Sequence, residues 1–382
     1  VAKERIGYID QFRGLATIFM VETHVVNALL RDSLRGSFIF GTLDFINGFV
    51  APSFLFVAGF SFTLALNRKG DAYRSFSPEL WKHLKRLVFI WATGYLMHIP
   101  YFSLLKTVHG STPEDMTAFF AIDILQCIAA TLILVHLIRT IVKSDRTFNI
   151  ILWGLFWLFI LVAPVFGIFD PYQATHEFIG QYFNRLHGSL FPLFPWSSFL
   201  IAGIISSQKI TFEKVVDAKS GKRRFGQRLP LIGGILITAG ILLVLVHKTF
   251  LPQINLYDYA PGWFLLRLGV LLWILSAIIW YETKRNHGWS SVKIFGRESF
   301  LVYVAHILFV YGSSMRNISL VESVGETLNY LQCFGVFAGL TMAMFLLAYA
   351  WSTLKKRNYD LSRLVQYAFV ASFFYLFIKN SY

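Results

Sequence analysis

Arg13 and His24 stand eleven residues apart in one apolar stretch. At 3.6 residues per turn that is close to three full turns, so a helix sets both on one face, about 16 Å apart along its axis. Asn27 joins that face three residues beyond His24, whereas Glu22 points to the other side. A guanidinium can hold an anionic group and a neutral imidazole can take a proton from a hydroxyl. The spacing therefore suits an elongated ligand with its anionic end at Arg13 and its reacting end at His24. A plainer reading of the same residues is a snorkelling arginine and a histidine bonded between helices, with Glu22 as a polar helix contact.

The other candidates follow from their depth in apolar segments. His306 lies in the outer half of a late segment, Asp123 opens a segment near the same face, and Arg267 is placed similarly. His24, His306, Asp123 and Arg267 thus share a depth, where a carboxylate can orient an imidazole. Lys82, Lys85 and Arg86 open the third segment on the opposite side and could grip phosphates; topology signals and lipid headgroups explain them equally well. His187 lies in the outer loop 169–189. No histidine pair has the i, i+4 spacing of a metal site, and neither a Walker nor a dinucleotide glycine pattern is present. Metal, ATP and NAD are not indicated.

Positioning these residues falls to membrane helices. Of 382 residues, 55% are hydrophobic and only 15% charged, with a mean hydropathy of +0.56. A water-facing surface needs about 25% charged residues, so the composition points to a polytopic all-α membrane protein. Thirty-nine phenylalanines suit a lipid-facing wall. Cys127 and Cys333 sit in apolar runs and form neither a disulfide framework nor a metal-ligand spacing. Eleven apolar segments are long enough to span: 12–30, 46–66, 84–102, 119–140, 147–168, 190–207, 229–247, 261–281, 292–313, 333–353 and 361–380.

The +14 formal charge is a topology signal. With the N-terminus cytoplasmic, inside segments hold 26 of the 35 Lys and Arg, outside segments 7, and Arg13 and Arg267 lie within spans. Eleven spans, N-terminus inside and C-terminus outside, keep that bias at every loop. Lys3 and Arg5 precede a first span that lacks a small-x-small cleavage site and reads as retained. The longest loops, about 20 residues, are too short to fold alone, so residues 1–382 are expected to form one integral domain. No nucleic-acid motif accompanies the basic charge.

Three segments carry a resemblance. Arg5-Ile-Gly-Tyr-Ile-Asp10-Gln-Phe-Arg13-Gly14-Leu-Ala, followed by His24, resembles the opening of the acyltransferase-3 superfamily of transmembrane acyltransferases, where an Arg and a His separated by ten residues are the first-span pair. Ala51-Pro52-Ser-Phe-Leu-Phe-Val-Ala-Gly59 is similar to the second span of the heparan-alpha-glucosaminide N-acetyltransferase branch. Gly296-Arg-Glu-Ser299-Phe-Leu-Val-Tyr303-Val-Ala-His306 resembles that branch's ninth span and ends on its histidine. Asp123-Ile-Leu-Gln126 and Phe194-Pro195-Trp196 are weaker matches to bacterial relatives. The chain departs from the branch in having no histidine in loop 31–45 and Cys127 where a basic residue is common.

The resemblance implies acyl transfer across a membrane, in a bacterial cytoplasmic membrane. Acetyl-CoA, or another acyl-CoA, is the implied donor, with its phosphates near Arg13, Lys85 and Arg86. The implied acceptor is a hydroxyl or amine of an extracytoplasmic glycan or glucosaminide, touched by Asn27, Asn47 and His187. His24 is the expected base or acyl carrier, Asp123 and His306 are orienting groups, and Arg267 is an oxyanion stabiliser. Membrane lipids are expected neighbours, and a homodimer stays open beside a monomer. The alternative class is a transporter or channel for an anionic solute; the lack of paired broken helices speaks against it.

Overall fold

The computed structural model describes residues 7–216, 221–250, 259–285, 290–312 and 319–380. Lys3, Arg5 and the side chains of Lys222 and Arg223 lie outside the described residues. All described secondary structure is helical apart from a bridge between Leu30 and Leu328. In chain order the helices are α1 (Gly7–Leu29), α2 (Phe38–Asn47), α3 (Val50–Lys69), α4 (Pro78–Met97), α5 (Leu104–Gly110) and α6 (Pro113–Phe120). There follow α7 (Ile124–Ile141), α8 (Asp145–Ile168), α9 (Glu177–Gly180), α10 (Leu193–Val216), α11 (Gly221–Phe250) and α12 (Pro261–Arg285). The last five are α13 (Ser290–Arg297), α14 (Ser299–Tyr311), α15 (Leu320–Val324), α16 (Tyr330–Arg357) and α17 (Tyr359–Lys379).

Each of the eleven apolar segments contains helix, and local chemistry marks where helices begin. Ser77 caps α4 with Pro78 behind it, Ser144 caps α8, and Asp123 and Asn329 each open a helix through a capping box with Gln126 and Gln332. Asn358 ends α16 and caps α17 in a single residue. Such side chains satisfy backbone N–H groups that have no partner inside the helix.

Among the described residues, seven helical segments are long and apolar enough to cross a membrane, or eight if α13 and α14, bent by 78°, count as one broken span. The protein is an integral membrane protein. In their most apolar windows α17 is only 11% buried, α11 17% and α16 22%, so these helices turn their side chains to lipid. The helix α1 is not among the seven. It carries Asp10, Gln11, Arg13, Glu22, His24 and Asn27, a polar load tolerated in lipid only when protein surrounds it. The ninth apolar segment, 292–313, is broken at Glu298 rather than continuous, and Lys355 of α16 donates to the buried Glu298 carboxylate at that break (2.6 Å).

The chain separates into two compact units. Unit 1 holds residues 1–50, 99–116 and 285–382; unit 2 holds 51–98 and 117–284. In unit 1, α1 packs against α13, α14 and α16 around Val21, Val25, Leu29, Val302, Val310, Cys333 and Leu340. Its closest crossing joins Gly14 to Gly296. A Cβ on Gly14 would lie 1.9 Å from Val292 O, and one on Gly296 1.9 Å from Asp10 O. The far end of α1 is tied down by Arg31 N–H to Leu328 O and by Leu328 N–H to Leu29 O (both 3.0 Å). Arg35 folds back to donate to Asn27 O (2.8 Å) and pairs with Glu326.

Unit 2 repeats the packing device. A Cβ on Gly59 of α3 would lie 1.9 Å from Leu200 O, and one on Gly203 of α10 1.9 Å from Phe56 O. Small residues let helix backbones touch where no hydrophobic drive separates helix from lipid. In α11, Pro230 has no N–H for the Gly226 carbonyl, and Ser276 of α12 supplies the missing donor (2.8 Å).

Candidate functional site

In unit 1, α1 runs past both arms of the bent pair. Arg13 faces α13, where its guanidinium donates to Gly296 O (3.4 Å), beside an ion pair between Asp10 and Arg297 (3.3 Å). Three turns on, His24 faces α14. Its ring centroid lies 5.2 Å from that of His306 and 5.5 Å from that of Tyr311, and its Nδ1 is 3.2 Å from the Tyr311 hydroxyl. The structure thus brings together His24 and His306, and adds Tyr311, which sequence reasoning passed over. Tyr311 closes the last turn of α14, five residues past His306, on the turn of helix that faces α1.

Each imidazole is oriented by a specific bond. His306 is fully buried, and its Nδ1 donates to Val302 O (2.7 Å), which leaves Nε2 as the acceptor of the neutral ring. His24 is half-buried and its Nδ1 shares a hydrogen bond with the Tyr311 hydroxyl; in the tautomer whose Nδ1–H donates to Tyr311, Nε2 is the accepting nitrogen. Asn27 is exposed, and its backbone carbonyl serves Arg35. Asn47 faces Glu22 across α1 and α2, so the polar helix contact expected of Glu22 is made with a residue read as an acceptor contact.

Asp123, Arg267, His187, Lys85 and Arg86 all belong to unit 2. Asp123 is half-buried and caps α7: its Oδ1 accepts from Ile124 N–H (2.6 Å) while Gln126 Oε1 accepts from Asp123 N–H. Packing its glycine-sized neighbour against Gln126 fixes that box, since a Cβ on Gly94 would strike the Gln126 amide at 2.4 Å. Arg267 is buried, with its guanidinium 5.9 Å from the Trp196 ring, and Trp196 meets Phe191 edge-on. Phe191 and Leu190 donate from their backbones to Ile122 O, so Asp123, Arg267 and the loop bearing His187 gather at one end of unit 2.

Within that loop His187 is paired with Asp170, Nε2 to Oδ2 at 2.7 Å, and stacked on Tyr172 at 3.8 Å. Burial works to raise the Asp170 carboxyl, but hydrogen bonds from His187, Asn184 and the Tyr172 N–H outweigh it and hold the group below its usual range. Lys85 and Arg86 are exposed on α4, with Arg86 in electrostatic reach of His83 and Tyr73. His83 and His136 approach to 5.0 Å between ring centroids, beside Tyr73.

The arrangement in unit 1, an arginine and an imidazole on one helix with the imidazole aligned by a tyrosine and a second histidine, can hold an anion and shuttle a proton at separate depths. The catalytic family of heparan-alpha-glucosaminide N-acetyltransferase matches residues 5–252, well over half of the chain. The chain belongs to this family. It is therefore a membrane acetyltransferase by family, and the match spans Arg13, His24, Asn47, Lys85, Arg86, Asp123 and His187. Arg267, His306 and Tyr311 lie beyond the matched residues, and it is the structure that joins His306 and Tyr311 to the matched His24. No individually curated protein matches the chain.

Proposed function

We propose that this acetyltransferase moves an acetyl group from acetyl-CoA on the cytoplasmic side to a hydroxyl or amine of an extracytoplasmic sugar. The observation that carries the reading is His24, on the same helix face as Arg13, aligned by Tyr311 and His306. All of residues 1–382 serve this one activity, with eleven spans and the N-terminus in the cytoplasm, as the positive-inside bias supports. A bacterial cytoplasmic membrane is the setting in which the donor pool and the sugar lie on opposite sides.

The donor is anionic at its nucleotide end, so Arg13 together with Lys85 and Arg86 is assigned to its phosphates. A charged CoA cannot cross lipid, whereas its acyl group can be handed on within the bilayer. His24 Nε2 removes the proton from the attacking hydroxyl or amine, or takes the acyl group first and passes it on. Tyr311 holds the ring and shares the charge as it develops, and His306 keeps its acceptor nitrogen beside the same ring. Arg267 is assigned to oxyanion stabilisation and Asp123 to orienting groups at the outer end of unit 2, next to its capping role. Asn27 and His187 are assigned to the acceptor, with Asn47 acting through Glu22.

Liposomes test the reading. Protein reconstituted with acetyl-CoA sealed inside and glucosamine outside is expected to produce acetylated sugar outside and free thiol inside, and His24→Ala vesicles neither. Uptake of the sugar or escape of intact acetyl-CoA, without acetyl transfer, would establish a transporter instead.

A further inference from the structure

We propose that the turn joining α16 to α17 in unit 1 is a docking site for the headgroup phosphate of an anionic phospholipid, and that the docked lipid steadies the bend between α13 and α14. Neither half depends on the acyl-transfer reading.

Both helices are long and apolar enough to span, and Asn358 alone separates them, so the turn lies at a membrane surface. Four cations gather there: Lys355, Lys356 and Arg357 in the last turn of α16, and Arg363 in the second turn of α17. Lys355 is engaged by Glu298 (2.6 Å). Lys356 and Arg357 are exposed, and among the described residues neither pairs with a carboxylate.

Arg363 stands where a bare charge is costly. It lies five residues past Asn358, about 7.5 Å along the helix axis. Among the described residues of α17 only Ser362 and Phe377 are buried. A guanidinium on such a lipid-facing helix must reach for the interface or for an anion. Tyr359 and Tyr367, one turn to either side, clamp it. Its Cζ lies 5.9 Å from the first ring centroid and 5.5 Å from the second, and its Nη2 donates to the Tyr367 hydroxyl (2.7 Å). Both tyrosines are exposed. Among the described residues no carboxylate forms an ion pair with Arg363, so the rest of its planar fork is open to two phosphate oxygens.

A topology signal needs the charges but no clamp, and an aromatic belt needs the rings but no arginine between them. A guanidinium held between two rings near the headgroups, with two free cations on the adjoining turn, calls for an anion that the protein does not supply. A phospholipid supplies it from the surrounding bilayer, its acyl chains lying along exposed side chains of α17 such as Leu364 and Phe369.

The same turn bears on the bend. Glu298 is buried at the 78° break between α13 and α14, and Lys355 is its ion-pair partner. Lys355 sits two residues from the end of α16, where helices fray. A headgroup held by Arg363 and the free cations beside it closes that end and keeps Lys355 on Glu298.

Native mass spectrometry of the full-length protein in detergent, titrated with phosphatidylglycerol or phosphatidylcholine, tests the docking half. Wild type is expected to retain phosphatidylglycerol in preference to phosphatidylcholine. Arg363→Gln is expected to lower that retention about fivefold, the contribution of one cation at a membrane surface. Tyr359→Leu combined with Tyr367→Leu keeps every charge and is expected to lower it about two- to fivefold by releasing the clamp. Arg146→Gln, exposed in the first turn of α8, removes the same charge elsewhere and is expected to change nothing. Melting temperatures in phosphatidylcholine nanodiscs check that each variant is folded. An equal loss in Arg146→Gln, or no loss in the double tyrosine variant, would reduce the preference to bulk charge and overturn the docking site. Displacement of the lipid by an equal concentration of inorganic phosphate would overturn it as well. For the bend, amide hydrogen exchange in α13 and α14 is expected to slow in phosphatidylglycerol nanodiscs relative to phosphatidylcholine in wild type, and not in Arg363→Gln. Equal exchange of the wild type in both lipids overturns that half.

Discussion

The two units use one packing device and build different sites with it. In unit 1 the crossing of α1 with α13 at Gly14 and Gly296 is flanked in sequence by Arg13 and Arg297, so the arginine assigned to the donor sits on the crossing itself. In unit 2 the crossing of α3 with α10 at Gly59 and Gly203 is surrounded by Phe56, Phe60 and Leu200, and the candidate groups Asp123, Arg267 and His187 stand toward helix ends and in the 169–191 loop. A group on a helix inherits the rigidity of its backbone. A group on a loop must be fixed by other side chains, as Asp170, Tyr172 and Gln181 fix His187.

The sharpest break in that comparison is at the imidazoles. Loss of a positioned base costs about 10²–10⁴ in rate, so His24→Ala is expected to abolish acetyl transfer, whereas His187→Phe is expected to act on the KM for an amine acceptor. Equal losses of kcat in both would erase the distinction between a reaction centre and an acceptor contact.

The glycine crossings come next. Alanine at Gly14, Gly296, Gly59 or Gly203 places a methyl group 1.9 Å from a backbone carbonyl and is expected to cost about 1–3 kcal/mol or more in overpacking. All four variants should melt earlier. Only Gly14→Ala and Gly296→Ala should also raise the KM for acetyl-CoA in the folded fraction, because Arg13 moves with that crossing. A matching rise in Gly59→Ala would tie donor binding to the α3–α10 crossing as well.

Much of this was legible in the residues. Every apolar segment contains helix because hydropathy and cap residues act locally, and the eleven-residue spacing of Arg13 and His24 does turn both toward one bent helix pair. Depth put His24 and His306 at one level, and it is the structure that brings their rings together. What escaped was long-range: nothing in the composition of 292–313 announces a 78° bend at Glu298, whose partner Lys355 lies 57 residues on. Gly14 and Gly296 leave no mark on hydropathy, Tyr311 reads as one aromatic among many, and Asp170 and His187 are joined across a loop with no periodicity. Asp123 carried a readable signal, since Asp-Ile-Leu-Gln spells a capping box.

Smaller effects separate the two histidine settings further. Tyr311→Phe removes one hydrogen bond to His24, worth about 1 kcal/mol, and is expected to slow transfer several-fold with the fold intact; no change would remove Tyr311 from the site. The smallest effect is the pH response of the 169–191 loop. Asp170 is held below its ordinary range when folded, so its contribution is present above the unfolded-state pKa and lost as pH falls through the folded one. Protease nicking within 169–191 should rise below that range in the wild type, and in Asp170→Asn it should be raised already at neutral pH and change little with acid.

The central claim is that His24 and Arg13 divide acetyl-CoA between them. The direct measurement is binding and thioester turnover of acetyl-CoA by the detergent-purified protein, comparing wild type, Arg13→Ala and His24→Ala. The account predicts saturable binding that Arg13→Ala weakens and that His24→Ala keeps while thiol release stops. A wild type that neither binds acetyl-CoA nor gains thermal stability from it, or a His24→Ala protein that releases thiol at the wild-type rate, would contradict it.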